Sequence, residues 1–134
     1  MRFGSCALIA AIAFAPATAA LAAHRSAAPG ETFLDYIRDH ATKADRPTVV
    51  DVRGVGGHLV TVNGIQAVIG VTAVVKTTLP DTAQATFVAT RLCRVALAGK
   101  QALGLTHISR VVVRSRTGTT KSAGGPKAGC RRTP

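Results

Sequence analysis

One amphipathic run constrains this chain more than any other feature. Residues 79–104 read LPDTAQATFVATRLCRVALAGKQALG. Pro80 and Asp81 give a helix start signal, and Gln84 stands where a capping-box partner would stand. Ala85, Val88, Ala89, Leu92, Val95, Ala96, Gly99 and Leu103 then recur at three- and four-residue steps, the period of one helical face. Cys93 lies on the flank of that face, and Arg91, Arg94 and Lys100 fall elsewhere on the helix surface. The segments around this run are strand-like, so the helix is the surface against which a sheet has to pack.

The flanking segments fix the fold class as α+β. Residues 31–44 read as a short helix in which Phe33, Leu34, Ile37 and Ala41 share a face. Glu31 and Asp35 early and Lys43 late match the helix dipole, with Tyr36 and His40 flanking. Arg46-Pro47 ends it. Residues 48–53 read as a strand, residues 54–57 (GVGG) as a turn, and residues 58–62 as a second strand. Asn63-Gly64 between β-branched residues signals a tight two-residue hairpin. Residues 65–78 form a long third strand with Gly70 at a bulge or bend. Residues 108–117 are a fourth strand, and residues 118–134 (GTTKSAGGPKAGCRRTP) lack a hydrophobic period and read as a flexible basic tail. The expected architecture is an N-terminal helix, a three-stranded antiparallel meander, the long amphipathic helix packed on the sheet, and a fourth strand rejoining it. If the strands flanking the long helix are parallel, the crossover is right-handed. Residues 31–117 are thus expected to form a single domain.

The start of the chain reads as an export signal over residues 1–22. Arg2 supplies the basic region and residues 6–15 (CALIAAIAFA) the apolar one. Pro16 breaks the run, and Ala20-Leu21-Ala22 offers small residues for cleavage, with Ala17-Thr18-Ala19 as an alternative. An uncleaved anchor is the rival reading, and the proline and the weakly hydrophobic second half oppose it. Residues 23–30 read as a linker. Cleavage removes Cys6 and leaves Cys93 and Cys130, an even pair in an oxidising compartment, which reads as a disulfide. Such a bridge closes a loop of about 37 residues and contributes roughly 4 kcal/mol in the chain-entropy model. With few aromatic residues the core is built from Val, Ile, Leu and Ala, which makes a covalent staple more useful.

The charge is asymmetric. From residue 24 to Asp81, six basic and six acidic residues cancel; from Thr82 to the end there are ten basic residues and no acidic one. On the fourth strand Val111 and Val113 share one face with Ser109 and Ser115. The other face holds Ile108, Arg110, Val112, Arg114 and Arg116. Three arginines on one face have to meet water or a negative partner rather than the core. The expected binding residues are Arg110, Arg114 and Arg116, with Lys121, Lys127, Arg131 and Arg132 of the tail as a second contact. The expected partner is an anionic envelope polymer, an acidic lipid surface or an acidic protein. Nucleic acid fits less well, because no aromatic residue is interleaved with these cations to stack on bases and because the start of the chain reads as a signal for export. No stable transmembrane anchor is expected.

Catalytic patterns are not visible. The sequence has no Gly-x-Ser-x-Gly elbow, His-Glu-x-x-His pair or Cys-x-x-Cys, and His24, His40, His58 and His107 lack ligand spacing. No catalytic residue, metal site or cofactor is expected. Asp51 and His58 could meet across a turn, but without a nucleophile they read as a surface pair. Residues 54–57 join two strands rather than a strand and a helix, so a phosphate loop lacks its context. The expectation is a small exported non-enzymatic binding module. The alternative is a structural or inhibitory domain acting through a protein–protein surface, with the charge incidental.

Overall fold

Among the described residues the backbone is organised by one five-stranded mixed sheet, its strands adjacent in chain order, with two α-helices. A computed structural model describes residues 30–133. The expected export signal, its expected cleavage site and most of the expected linker lie outside the described residues.

Helix α1 spans Phe33–His40 and begins at Thr32, whose hydroxyl accepts the Asp35 N–H. This satisfies one of the open donors of a helix start. The helix ends several residues earlier than its sequence period suggests, because Ala41 is already extended. Arg38 and Arg46 then tie down the connection. The Arg38 guanidinium donates to the carbonyls of Val49 and Val50, and Arg46 Nε donates to the Arg38 carbonyl. A single 3-10 turn at Arg46–Thr48 leads into the sheet.

Strand β1 runs Val49–Val62 and β2 runs Ile65–Thr77, paired antiparallel through a turn at Asn63 and Gly64. Both turn residues have positive φ, 53° and 78°, as a tight hairpin turn requires. The expected break at residues 54–57 is absent. Gly56 and Gly57 take positive φ inside the strand, opposite Val71 and beside Gly70, which does the same. The glycines kink the ribbon without ending it, so the expected three-stranded meander is a single long hairpin.

Helix α2 spans Ala85–Ala102 and links β2 to β3, Ile108–Arg114, which lies parallel to β2. Ala85, Ala89, Leu92, Cys93 and Ala96 are buried against Ala73, Val75, Val111 and Val113 of the sheet and Ile37 of α1. The periodic face is therefore the core face. The helix starts later than its start signal suggests, and Gln84 makes no side-chain cap. Asp81 instead accepts a hydrogen bond from the Thr117 hydroxyl, and Thr82 Oγ1 accepts the Ala85 N–H. A register shift beside Thr72 turns Ile108 into the core, away from the arginine face expected for it.

The segment expected to be a flexible tail is ordered. Thr120–Gly125 forms β4 and Gly129–Arg132 forms β5, both antiparallel additions to the sheet. Residues 118–133 therefore belong to the same sheet as the rest of the domain. Their small side chains allow this. A Cβ added at Gly124 would lie 2.3 Å from the Gly129 carbonyl oxygen and 2.8 Å from Cys130 Cα. Cys93 of α2 and Cys130 of β5 are joined in a disulfide, with Cα atoms 6.0 Å apart. The bridge fastens the last strand to the helix layer, as the even cysteine pair suggested.

Candidate functional site

The helices cover one face of the sheet and leave the other open. Cross-strand partners share a face, so the register shows what the open face carries. One row across it is Asp51, Lys76 and Arg114; the next is Arg53, Val74, Val112, Ala123 and Arg131; the third is Val55, Thr72 and Arg110. Three neighbouring rows thus gather five cations and one carboxylate. Arg116 joins them from the segment after β3.

Where β1 begins and β2 and β3 end, this face carries a trough of about 400 Å³ lined by Arg53, Lys76, Arg114 and Arg116 together with Asp51, Val74 and the turn after β3. Lys76 lies directly opposite Arg114. Lys76 also lies opposite Asp51 on its other side, so this row carries two cations and one carboxylate and keeps a net positive charge. Among the described residues one ion pair falls within 4 Å, Arg91 to Asp45, and it lies away from the trough. Asp51 Oδ1 accepts the Val52 N–H at 2.8 Å. The trough can therefore hold a multiply charged anion: its guanidinium groups offer paired N–H donors to carboxylate or phosphate oxygens.

The expected binding residues separate into groups. Arg110, Arg114, Arg116 and Arg131 share the open face. Arg132, one residue along β5, points to the helix side, where its guanidinium lies 4.7 Å from the centre of the Phe87 ring. It forms a second, smaller basic cluster there with Arg91 and Arg94. Lys121 is only 6% exposed and is not a free contact. Lys127 is exposed in the turn between β4 and β5. Arg53 and Lys76 are additions that the charge count alone did not single out, since both lie in the half of the chain whose charges cancel. The alternation of β1 and β2 carried the signal, but only the parallel register with β3 brings them beside Arg114.

Two carboxylates titrate low. A hydrogen bond from the Arg91 guanidinium is the main cause for Asp45, opposed by burial. Hydroxyls of Ser115 and then Thr117 hold Asp81 down. Both interactions are structural. The first ties α2 to the turn before β1, and the second ties the start of the α2 connection to the β3–β4 turn. Among the described residues no group of three or more His, Cys, Asp or Glu side chains is placed to hold a metal ion, and no helix is long and apolar enough to cross a membrane.

Compared with protein-family models, with curated proteins and with solved structures, the chain matches none.

Proposed function

We propose that this chain is a small exported, non-enzymatic binding module whose open sheet face docks an anionic partner. The observation that carries this reading is the trough, in which Arg53, Lys76, Arg114 and Arg116 converge around one carboxylate. Half of these cations come from each side of the charge boundary at Asp81, so the site is a product of the fold rather than of a basic terminus. The sheet fixes the spacing of the charges, and arginine loses less freedom per hydrogen bond than lysine on engaging an oxyanion. The disulfide fits an oxidising compartment.

The test is binding to an immobilised polyanion as salt is varied. The wild-type chain binds with an affinity that falls steeply with ionic strength, because exposed charges are screened beyond about 8–10 Å at physiological salt. Replacing Arg110, Arg114 and Arg116 together with serine removes most of that affinity. Replacing Arg132 with serine, on the other side of the sheet, leaves it nearly unchanged. Equal binding by the triple variant and the wild type would discard the proposal.

A further inference from the structure

Beyond the pairing of Val71 with Ile108, β2 has no β3 beside it. From there β1 and β2 continue alone to the Asn63-Gly64 turn, as a two-stranded arm projecting from the sheet. Residues 54–70 contain no Asp, Glu, Lys or Arg. The arm exposes large apolar side chains: Leu59 is 65% exposed, Val62 59% and Ile65 71%, with Val68 and Ile69 beside them. The kink glycines Gly56, Gly57 and Gly70 mark its root. By register Leu59 and Val68 are cross-strand partners on the face that carries Arg53 and Arg110, whereas Val62, Ile65 and Ile69 stand on the opposite face. A lone two-stranded ribbon is marginal in water, and large apolar side chains exposed on it mark a site of interaction.

We infer that the partner of the cationic face is an acidic lipid surface, and that this arm is its apolar anchor. The inference rests on the proposed anionic-partner reading and narrows it to one class. Charge decides between lipid and a second copy of the chain. The full sequence has a net charge of +11, to which residues 1–22 contribute only Arg2, so two copies repel, whereas an acidic leaflet attracts the body and accepts the apolar arm. Stable attachment to a membrane surface takes two such signals acting together. The chain has them adjacent: Arg110 is paired with Thr72, next to the rung where the arm begins, and Arg53 precedes the arm on β1. Each basic residue near an acidic leaflet raises partitioning about fivefold.

The arm docks shallowly. Both edges of a two-stranded ribbon carry unpaired backbone N–H and C=O groups, which hydrocarbon cannot satisfy. Thr61, Asn63 and Gln66 are also polar. Headgroup depth lets water reach these groups while Leu59 and Val68, on the same face as Arg53 and Arg110, enter the acyl boundary.

The experiment uses the chain as its host processes it, with the disulfide intact. It compares wild type with a Leu59→Asn/Val68→Asn variant, whose altered side chains are exposed cross-strand partners on the cationic side of the arm. Partitioning is measured onto vesicles of phosphatidylglycerol and phosphatidylcholine, and onto phosphatidylcholine alone. Binding to soluble dextran sulfate is measured in parallel. The expected result is that wild type prefers the acidic vesicles, the variant partitions onto them at least tenfold less, and both bind dextran sulfate alike. Equal partitioning of variant and wild type overturns the arm's role and leaves the anionic-partner reading standing. So does wild type that binds dextran sulfate but not acidic vesicles. Wild type that binds neither overturns both readings. A wild-type dimer in sedimentation that the variant abolishes, without vesicle binding, assigns the arm to a second copy and overturns the lipid inference.

Discussion

At the scale of single residues, Asp45 and Gly99 hold the helices in place. Asp45 is 5% exposed and its partner Arg91 48%, so removing the arginine leaves a nearly buried carboxylate short of a donor. Arg91→Ala should lower stability by about 1–2 kcal/mol at neutral pH, read by urea unfolding. The pH dependence has a fixed sign. The bonded Asp45 carboxyl titrates below its unfolded value, so its contribution is full above about pH 4 and is lost as pH falls through the folded value. The gap between wild type and Arg91→Ala should therefore shrink at pH 3; a gap that stays constant would show that the charge is not the cause. Gly99 is required by close approach. A Cβ there would meet Tyr36 Cδ1 at 2.6 Å and Phe33 Cε1 at 3.2 Å. The Tyr36 ring is itself stacked on His40 with centroids 3.8 Å apart and has little room to yield. Gly99→Ala should lower the melting temperature, because a clash costing about 1–3 kcal/mol exceeds the gain in helix propensity of about 1 kcal/mol.

Among elements, β5 depends most on a single covalent link. It is an edge strand, four residues long, paired only with β4. Cys130→Ser removes its tie to α2. The expected loss is up to about 4 kcal/mol, with faster hydrogen exchange at the amides of β4 and β5 than at those of β2. Uniform exchange across the sheet would mean that the bridge stabilises only the unfolded-state balance. This strand also shows where sequence reasoning stops. Helix α2 was legible because its apolar side chains repeat at 3.6 residues and its buried face is continuous. Strands β4 and β5 have no such repeat; Ser122, Ala123 and Gly124 suit a sheet because they let backbones approach closely, and composition reads them as a linker. The glycines at residues 54–57 are ambiguous for a related reason. Positive φ serves a turn or a kinked strand equally, and the choice is made by β2, which is long enough to pair with β1 from end to end. The basic face was half legible. The alternation of β3 exposed Arg110 and Arg114, whereas Arg53, Lys76 and Arg131 reach the same face only through register with other strands.

For the whole molecule, the charge boundary at Asp81 in the sequence becomes the seam between β2 and β3 in space. The acid-free half contributes β3, β4 and β5, and the balanced half contributes β1 and β2. Parallel pairing of β2 with β3 sets the two halves side by side, and the trough straddles that seam and draws on both. This separates a folded site from a diffuse cationic surface. In a diffuse surface every positive charge counts nearly equally, and Arg132→Ser weakens polyanion binding as much as loss of any other cation. In a folded site, position decides. Arg53→Ser/Lys76→Ser should reduce polyanion affinity and flatten its salt dependence about as strongly as Arg114→Ser/Arg116→Ser, since each pair removes two charges from one trough. Arg91→Ser/Arg94→Ser, two charges on the helix side, should do much less. Equal losses across the three double variants would favour the diffuse surface, and with it a partner held by net charge alone.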